Sequence, residues 1–151
     1  MTPEKKQEYT RRITQANRTG IIVITYEIAY GYIEDARKSL KEGNEEEYAA
    51  ELKQAERSVV QLLTALNFRY SLSYHLMRIY NYINECIRNA AWKKDISYLD
   101  EPQKILKKLM LSFMKVAESD DSLPLMQNTD EVYAGLTYNS KGMTNTNTRR
   151  V

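Results

Sequence analysis

Residues that break helices or form tight turns are scarce through most of this sequence. Between residues 33 and 133 the only glycine is Gly43, and the only prolines are Pro102 and Pro124. A many-stranded sheet needs frequent turns, whereas long segments without turn residues suit long helices. We therefore expect neither an all-β fold nor a Rossmann-like one, and 151 residues are about the length of one domain.

Apolar residues recur at alternating spacings of four and three in three successive segments, and a fourth segment is similarly apolar. This spacing places them on one face of a helix and predicts four long helices. In the first, predicted over 19–42, the β-branched run at 21–24 alone would favour a strand, and the spacing decides for a helix. The predicted faces are Ile22, Tyr26, Ala29, Ile33, Ala36 and Leu40; Tyr48, Leu52, Ala55, Val59, Leu62 and Leu66; Leu72, Leu76, Ile79, Ile83, Cys86 and Ala90; and Ile96, Leu99, Ile105, Leu106, Leu109, Phe113 and Val116.

Turn and capping residues mark the ends of the first three helices. Gly43 supplies a left-handed stop for the first helix, and Asn44, which three glutamates follow, caps the second. The third helix, predicted over about 72–91, has Ser71 or Ser73 available as its cap.

The start of the fourth helix has two possible descriptions. Asp95 can cap it, but Pro102 would then lie inside the helix, where it removes a backbone donor and costs about 3 kcal/mol. Either the helix kinks at Pro102, or Asp100 is the true cap. Short loops make neighbouring helices antiparallel, so the expected fold is all-α, an antiparallel up-down four-helix bundle.

The pattern divides the chain into an N-terminal arm, a helical bundle domain and a flexible tail, at residues 1–17, 18–117 and 118–151. The arm is polar except for Tyr9 and Ile13, which are four residues apart and suit one side of a short helical turn. The tail is polar except for the apolar segment at 132–138, which can dock on the domain or on a partner.

Charge balance and hydropathy exclude several classes of protein. The chain carries 22 lysines and arginines against 20 aspartates and glutamates, a net +2, which is far from the basic footprint of a nucleic-acid-binding protein. The apolar run at 21–24 is too short to span a membrane, and the charged N-terminus does not resemble a signal peptide. We expect a cytoplasmic protein that neither binds nucleic acid nor inserts into membranes.

The sequence offers little for catalysis. His75 is the only histidine and Cys86 the only cysteine, and no phosphate-binding loop or catalytic motif is present. One imidazole does not hold a metal ion, and Cys86 lies on an apolar face as a small core residue. A single cysteine also excludes an intrachain disulfide. We expect no enzymatic activity, no metal and no cofactor.

The predicted faces do not account for all the apolar residues. The first helix is apolar nearly all round at 21–24, and Tyr70, Tyr74 and Met77 form a second line on the third. Twelve of the fifteen aromatic residues are tyrosines, which suit half-exposed positions and protein interfaces. Any one of them could equally border a core. Together they favour grooves between helices that receive an apolar helix of another protein.

Several short motifs follow one another in a characteristic order. They are Tyr9, ANRTGI at 16–21, TYEIA at 25–29, LTALNF at 63–68, LMRIYNYI at 76–83, AAWKKD at 90–95 and VYAGLTY at 132–138. In this order the chain resembles the FliS family of flagellar export chaperones over roughly residues 9–116 and into the tail. Two departures, at 17–20 and at 27–28, affect the start of the first bundle helix and its packing.

The resemblance implies a function without chemistry. Family members bind the disordered C-terminal segment of flagellin in the cytoplasm, block its premature polymerisation and pass it to the flagellar type III export gate. From the helical pattern itself we expect a monomer or weak homodimer. A second hypothesis is a helical adaptor domain that binds regulatory proteins. A third, an enzyme with a cofactor inside the bundle, is weak because the sequence has no inward-facing Glu-x-x-His pairs.

The residues expected to bind the partner lie in or beside these motifs on apolar faces, and some of them must instead belong to the core. They are Tyr9, Ile13, Ile22, Tyr26, Leu66, Leu76, Ile79, Tyr80 and Leu109. We expect the arm that carries Tyr9 and Ile13 to fold over an apolar groove in the free protein. The client would displace it and so expose the two side chains to the export gate.

Overall fold

The computed structural model describes residues 1–126, whose regular elements are all helices and which contain no strand. The elements are α1 (Pro3–Gln15), α2 (Arg18–Lys41), α3 (Glu45–Thr64), α4 (Ser71–Lys93), a short 3-10 helix (Ile96–Leu99) and α5 (Asp100–Glu118). The predicted all-α class is confirmed for this part of the chain. The apolar segment at 132–138 lies outside the described residues. None of the described helices has an apolar stretch long enough to cross a bilayer.

Side-chain contacts show the relative directions of two pairs of long helices. The Tyr48 hydroxyl near the start of α3 donates to the Ala90 carbonyl near the end of α4, at 2.6 Å. The Arg37 guanidinium near the end of α2 contacts Asp100 at the start of α5, also at 2.6 Å. These pairs join opposite ends of the two helices, so α3 runs antiparallel to α4 and α2 runs antiparallel to α5.

The turn between α2 and α3 follows the sequence prediction. Gly43 has φ +77, in the left-handed region that glycine adopts without strain. The Asn44 side-chain oxygen accepts a hydrogen bond from the backbone N–H of Glu47 at 3.1 Å, so Asn44 caps α3. The stop and the cap are both confirmed.

The predicted serine cap of α4 is wrong. Ser71 is the first helical residue, and Tyr70 stands at the N-cap without a side-chain hydrogen bond to the helix. The Ser73 hydroxyl instead donates backwards to the Asn67 carbonyl at 2.6 Å. Ser73 therefore stabilises the preceding turn rather than the free N–H groups of the helix.

The structure resolves the start of the fourth long helix. Asp95 caps the short 3-10 helix by accepting from the Ser97 N–H at 2.9 Å, and α5 begins at Asp100 with Leu99, not Asp100, at the N-cap. Pro102 is the third residue of α5, where a backbone N–H has no partner within the helix. Proline therefore costs no hydrogen bond at this position, and no kink is needed.

The N-terminal arm is more ordered than its sequence pattern indicates. It forms the 13-residue helix α1, with the Thr2 hydroxyl accepting from the Lys5 N–H at 3.3 Å and Pro3 at the first position. Thr14 is buried where α1 packs against α2. The sequence predicted only a short turn because α1 carries few apolar residues, and a helix of this kind is stabilised by its neighbour.

The core follows the predicted faces with two corrections. The buried cluster comprises Tyr26, Ala29, Ile33, Ala36, Tyr48, Leu52, Ala55, Val59, Leu62, Leu76, Tyr80, Ile83, Ile87, Ala90, Leu99 and Leu106. Leu72 and Val116 were predicted on core faces, but both are exposed. Leu72 lies in the first turn of α4 and Val116 in the last turn of α5, so both lie beyond the buried layers.

We expect Leu106→Ala to lower the free energy of unfolding by about 2–5 kcal/mol, because Leu106 is fully buried and its truncation leaves a cavity. The matched control is Leu111→Ala on the same helix. Leu111 is 48% exposed, so its truncation should change stability by no more than about 0.5 kcal/mol. Urea denaturation of both variants measures the difference, and equal effects would contradict this description of the α5 face.

Candidate functional site

Three of the predicted partner-binding residues belong to the core. Tyr26, Leu76 and Tyr80 are 0%, 7% and 2% exposed. The hydroxyls of Tyr26 and Tyr80 hydrogen-bond to each other, and the Phe113 ring centroid lies 5.5 Å from that of Tyr26. These three residues do not contact a partner in this conformation. Partly buried apolar residues pack against the core cluster to which these three belong.

The tyrosine pair is neutral. Burial raises the pKa of Tyr26 and of Tyr80 well above the ordinary value of a phenol, because the charged form would lose its hydration. Both hydroxyls therefore stay protonated at physiological pH. The pair provides a buried hydrogen bond, not an acid or a base.

Four other predicted residues form the accessible part of the site. Ile22 on α2, Leu66 just after α3, Ile79 on α4 and Leu109 on α5 are partly buried and pack against the core. We call these four residues the rim. Each of them still presents apolar surface to solvent, whereas the core residues beneath them do not.

The α5 helix adds exposed apolar residues that the sequence analysis missed. Leu111 is 48% exposed and Met114 is 41% exposed, and they follow Leu109 along the second half of the helix. Neither lies on the predicted core face. Residues three positions apart lie on the same side of a helix, so Leu111 and Met114 form a second apolar stripe. This spacing of apolar residues outside the core face was the sequence signal that could have identified them.

A second cluster lies in the turn from α3 to α4 and in the first turn of α4. Phe68, Tyr70, Leu72 and Tyr74 are 45%, 67%, 60% and 52% exposed. The ring centroids of Phe68 and Tyr74 are 5.0 Å apart. We call these four residues the aromatic patch. The sequence analysis singled out Tyr70 and Tyr74 but placed Leu72 in the core.

The second half of the apolar run at 21–24 is not a binding surface. Val23 and Ile24 are 6% and 4% exposed, and Thr25 and Tyr26 after them are also buried. Helix α2 contacts α1, α3 and α5, so most of its circumference is covered. The interpretation of this run as spare apolar surface is wrong for Val23 and Ile24, which neighbouring elements of the same chain bury, whereas Ile21 and Ile22 are partly buried.

Polar contacts hold α1 on α2. The Arg12 guanidinium forms two hydrogen bonds to the Glu27 carboxylate, at 2.6 and 3.0 Å, and this contact raises the pKa of Arg12. Tyr9 and Ile13 are only partly buried. The Arg12 guanidinium carbon lies over the Tyr9 ring, 5.7 Å from the centroid of that ring.

The start of α1 is held by carboxylates of α2 and α3. The Met1 ammonium lies 3.1 Å from Asp35 on α2 and 2.9 Å from Glu51 on α3. Burial by itself would lower the pKa of the ammonium, but the two carboxylates outweigh it and raise the pKa. Helix α1 therefore begins beside α2 and α3, and among the described helices it packs along α2 and not along α4 or α5.

The segment after α5 fastens the junction of α1 and α2. The Asn17 side-chain NH₂ group donates to the carbonyls of Asp120 and Ser122, both at 3.2 Å, and the Thr19 hydroxyl donates to the Asp120 carboxylate at 2.5 Å. The Leu125 N–H donates to the Ala16 carbonyl at 3.2 Å. The start of the region predicted as a tail thus contacts the point where α1 meets α2.

A shallow groove between α3 and α4 forms a separate surface. Its volume is about 450 Å³, and the apolar residues that line it are Ala49, Leu52, Ile87, Ala91 and Trp92. Trp92 lies at the edge of the groove near the end of α4 and is 86% exposed. This groove lies near the opposite end of α4 from the aromatic patch.

The described residues bring together apolar surface rather than reactive groups. Within residues 1–126 no three His, Cys, Asp or Glu side chains are placed to hold a metal ion. Cys86 is buried and His75 is exposed near the start of α4. The arrangement is suited to binding an apolar segment of a protein.

Comparison with known proteins gives one family. The family described as flagellar protein FliS matches residues 1–120, a range that includes all five α-helices. Among curated proteins none matches the chain.

We expect Tyr80→Phe to lower the free energy of unfolding by about 1–3 kcal/mol, because the Tyr26 hydroxyl would lose its partner while it remains buried. Tyr26→Phe should have a similar effect. The double variant should be no less stable than either single variant, since it leaves no unpaired hydroxyl. Thermal or urea unfolding gives this double-mutant cycle, and additive losses would show that the two hydroxyls act independently.

Proposed function

Since the chain belongs to the FliS family of flagellar proteins, we propose that it is a cytoplasmic flagellar export chaperone without enzymatic activity. In this proposal it binds the disordered C-terminal segment of flagellin and prevents premature polymerisation. It then delivers flagellin to the flagellar type III export apparatus.

The observation that carries the proposal is the rim. In the proposed arrangement α2 to α5 form an antiparallel up-down bundle, and apolar residues at its four rim positions are half-covered by the core. An amphipathic helix can lay its apolar face into such a groove and bury both surfaces. Flagellin's terminal segment would then be kept from pairing with other flagellins. The exposed stripe of Leu111 and Met114 lies on another side of α5, because residues two positions apart, such as Leu109 and Leu111, do not face the same way.

Binding of this kind would remain reversible. A segment that folds as it binds loses about 2–5 kcal/mol of the gross interaction energy to its own ordering. A large apolar interface therefore need not be permanent. The chaperone can release its client at the export gate without a nucleotide or a chemical step.

Helix α1 is the proposed movable element. Its two larger apolar side chains, Tyr9 and Ile13, are only partly buried, and an ion pair as exposed as Arg12–Glu27 is worth about 0–1 kcal/mol. A client helix that buries more apolar area on α2 would displace α1. Tyr9 and Ile13 would then be free to contact the export gate.

The alternative function is a helical adaptor that binds regulatory proteins. One observation favours it: Trp92 is 86% exposed beside the groove between α3 and α4, away from most of the rim. Co-purification separates the two functions. A chaperone retains the flagellin C-terminal segment, whereas an adaptor does not.

We expect Ile79→Asp to weaken binding of the flagellin C-terminal segment by about tenfold or more, because the complex would have to bury an unpaired carboxylate. Trp92→Asp is the matched control. It places the same charge on an exposed apolar residue of the same helix, and it should leave the affinity unchanged. Isothermal titration calorimetry measures both, after circular dichroism has verified the fold. If Trp92→Asp alone weakens binding, the client occupies the groove between α3 and α4 instead.

Client binding should also speed hydrogen exchange across residues 5–16, because displaced α1 would lose its contacts with α2. The measurement compares the free protein with its complex with the flagellin segment. Glu27→Gln is a useful reference, since it removes the charged partner of Arg12 and should speed exchange in α1 without client. Equal or slower exchange in the complex would contradict displacement of α1.

A further inference from the structure

The aromatic patch has no cover within the described residues. Its four members, Phe68, Tyr70, Leu72 and Tyr74, are each at least 45% exposed. Exposed apolar clusters of this kind usually mark a binding surface. We infer that the apolar segment at 132–138 of this same chain docks on the aromatic patch.

Hydrogen bonds within the turn that carries the aromatic patch fix its backbone. The Asn67 side chain accepts from the Arg69 N–H at 3.1 Å, and the Asn67 carbonyl accepts from the Tyr70 N–H at 3.2 Å and from the Ser73 hydroxyl at 2.6 Å. These bonds fix the backbone on both sides of Phe68. The aromatic side chains therefore stay on the surface as a preformed site.

The described chain ends near the patch. The Leu125 N–H bonds to the Ala16 carbonyl at 3.2 Å, which places Met126 beside the start of α2. Two residues after Ala16, the Arg18 guanidinium reaches the Ala65 carbonyl at 3.4 Å. Ala65 is only three residues before Phe68, the first member of the patch. The end of the described chain and the patch thus lie at the same end of the helices.

The chain between Met126 and the apolar segment is long enough for the segment to lie at the patch end of the helices. Residues 127–131 separate Met126 from the apolar segment, and six Cα steps span roughly 20 Å when extended. The segment therefore reaches the end of the molecule that carries the patch. Trp92 is a poorer site for it, because α4 runs from Ser71 to Lys93 and about 30 Å of helix separates the two ends.

The charges are also complementary. The chain from residue 58 to residue 84 contains no aspartate or glutamate, but it contains Arg69 and Arg78 beside the patch. Within residues 1–126 neither arginine forms an ion pair. The acidic pair Asp130 and Glu131 immediately precedes the segment, and residues 132–140 carry no charge. Docking would bring the acidic pair near the arginines without burying any charge.

The segment itself has the composition of a ligand for this site. It reads VYAGLTY, and its two tyrosines and its leucine give it large apolar groups with polar tips. Phe68 and Tyr74 already meet at 5.0 Å in a tilted arrangement, 59° between ring planes, which leaves a ring edge and a ring face for another aromatic residue. A tyrosine of the segment would extend this cluster.

The test uses the full chain without client, with p-benzoylphenylalanine in place of Tyr138 as a photocrosslinker. We expect irradiation of the dilute protein to give an intramolecular crosslink to residues 67–75, which mass spectrometry locates. Phe68→Ser combined with Tyr74→Ser should abolish most of this product. Trp92→Ser, which removes an even more exposed aromatic residue at the other end of α4, should leave its yield unchanged.

A second measurement needs no crosslinker. Leu136→Asp combined with Tyr138→Asp should speed hydrogen exchange at residues 67–75, because these amides would lose their cover. Unchanged exchange there would overturn the inference. So would crosslinks to the rim, crosslinks between two copies of the chain, absence of any crosslink, or a yield that the patch variant does not lower. Flagellin is absent from both measurements, so neither result depends on the proposed chaperone function.

Discussion

The burial of α2 is the constraint on which the rest of the structure depends. Four consecutive residues, from Val23 to Tyr26, are buried, and consecutive residues of a helix point in different directions around its axis. One neighbouring helix cannot cover them all. Helices α1, α3 and α5 therefore pack around α2, and Tyr26 reaches the hydroxyl of Tyr80 on α4. Three of the other helices thus cover α2.

This requirement also explains why the polar helix α1 is ordered. Its own apolar content is low, but it lies along α2 and is anchored by Arg12 on Glu27 and by Met1 on Asp35 and Glu51. The Arg12–Glu27 pair is partly exposed, so it contributes little to stability. Such an element covers α2 in the free protein and is also the one that a stronger apolar ligand would replace most easily.

The side chains of the proposed binding surface pack directly on those of the core. Tyr26 and Tyr80 are inaccessible, yet Phe113 packs on Tyr26 and the rim packs on the same core. A charge placed at Tyr80 would therefore unfold the protein rather than test the site. The residues whose substitution can test binding are those that are only partly buried, such as Ile79 and Leu109. The aromatic patch is different, because it depends on the hydrogen bonds of Asn67 and not on the core.

The spacing of apolar residues by itself determined the four long helices, and turn chemistry determined the break at Gly43 and Asn44, because both depend on residues close together in the sequence. The order of the motifs was enough to identify the family. Only the tertiary structure decided which apolar residues are exposed, since α4 and α5 extend past the buried layers and leave Leu72 and Val116 in solvent. It also decided that Val23 and Ile24 are buried, which no local pattern shows because the covering helices are distant in sequence. Burial is a property of the whole assembly of helices, and a periodic pattern specifies only which side of one helix is apolar.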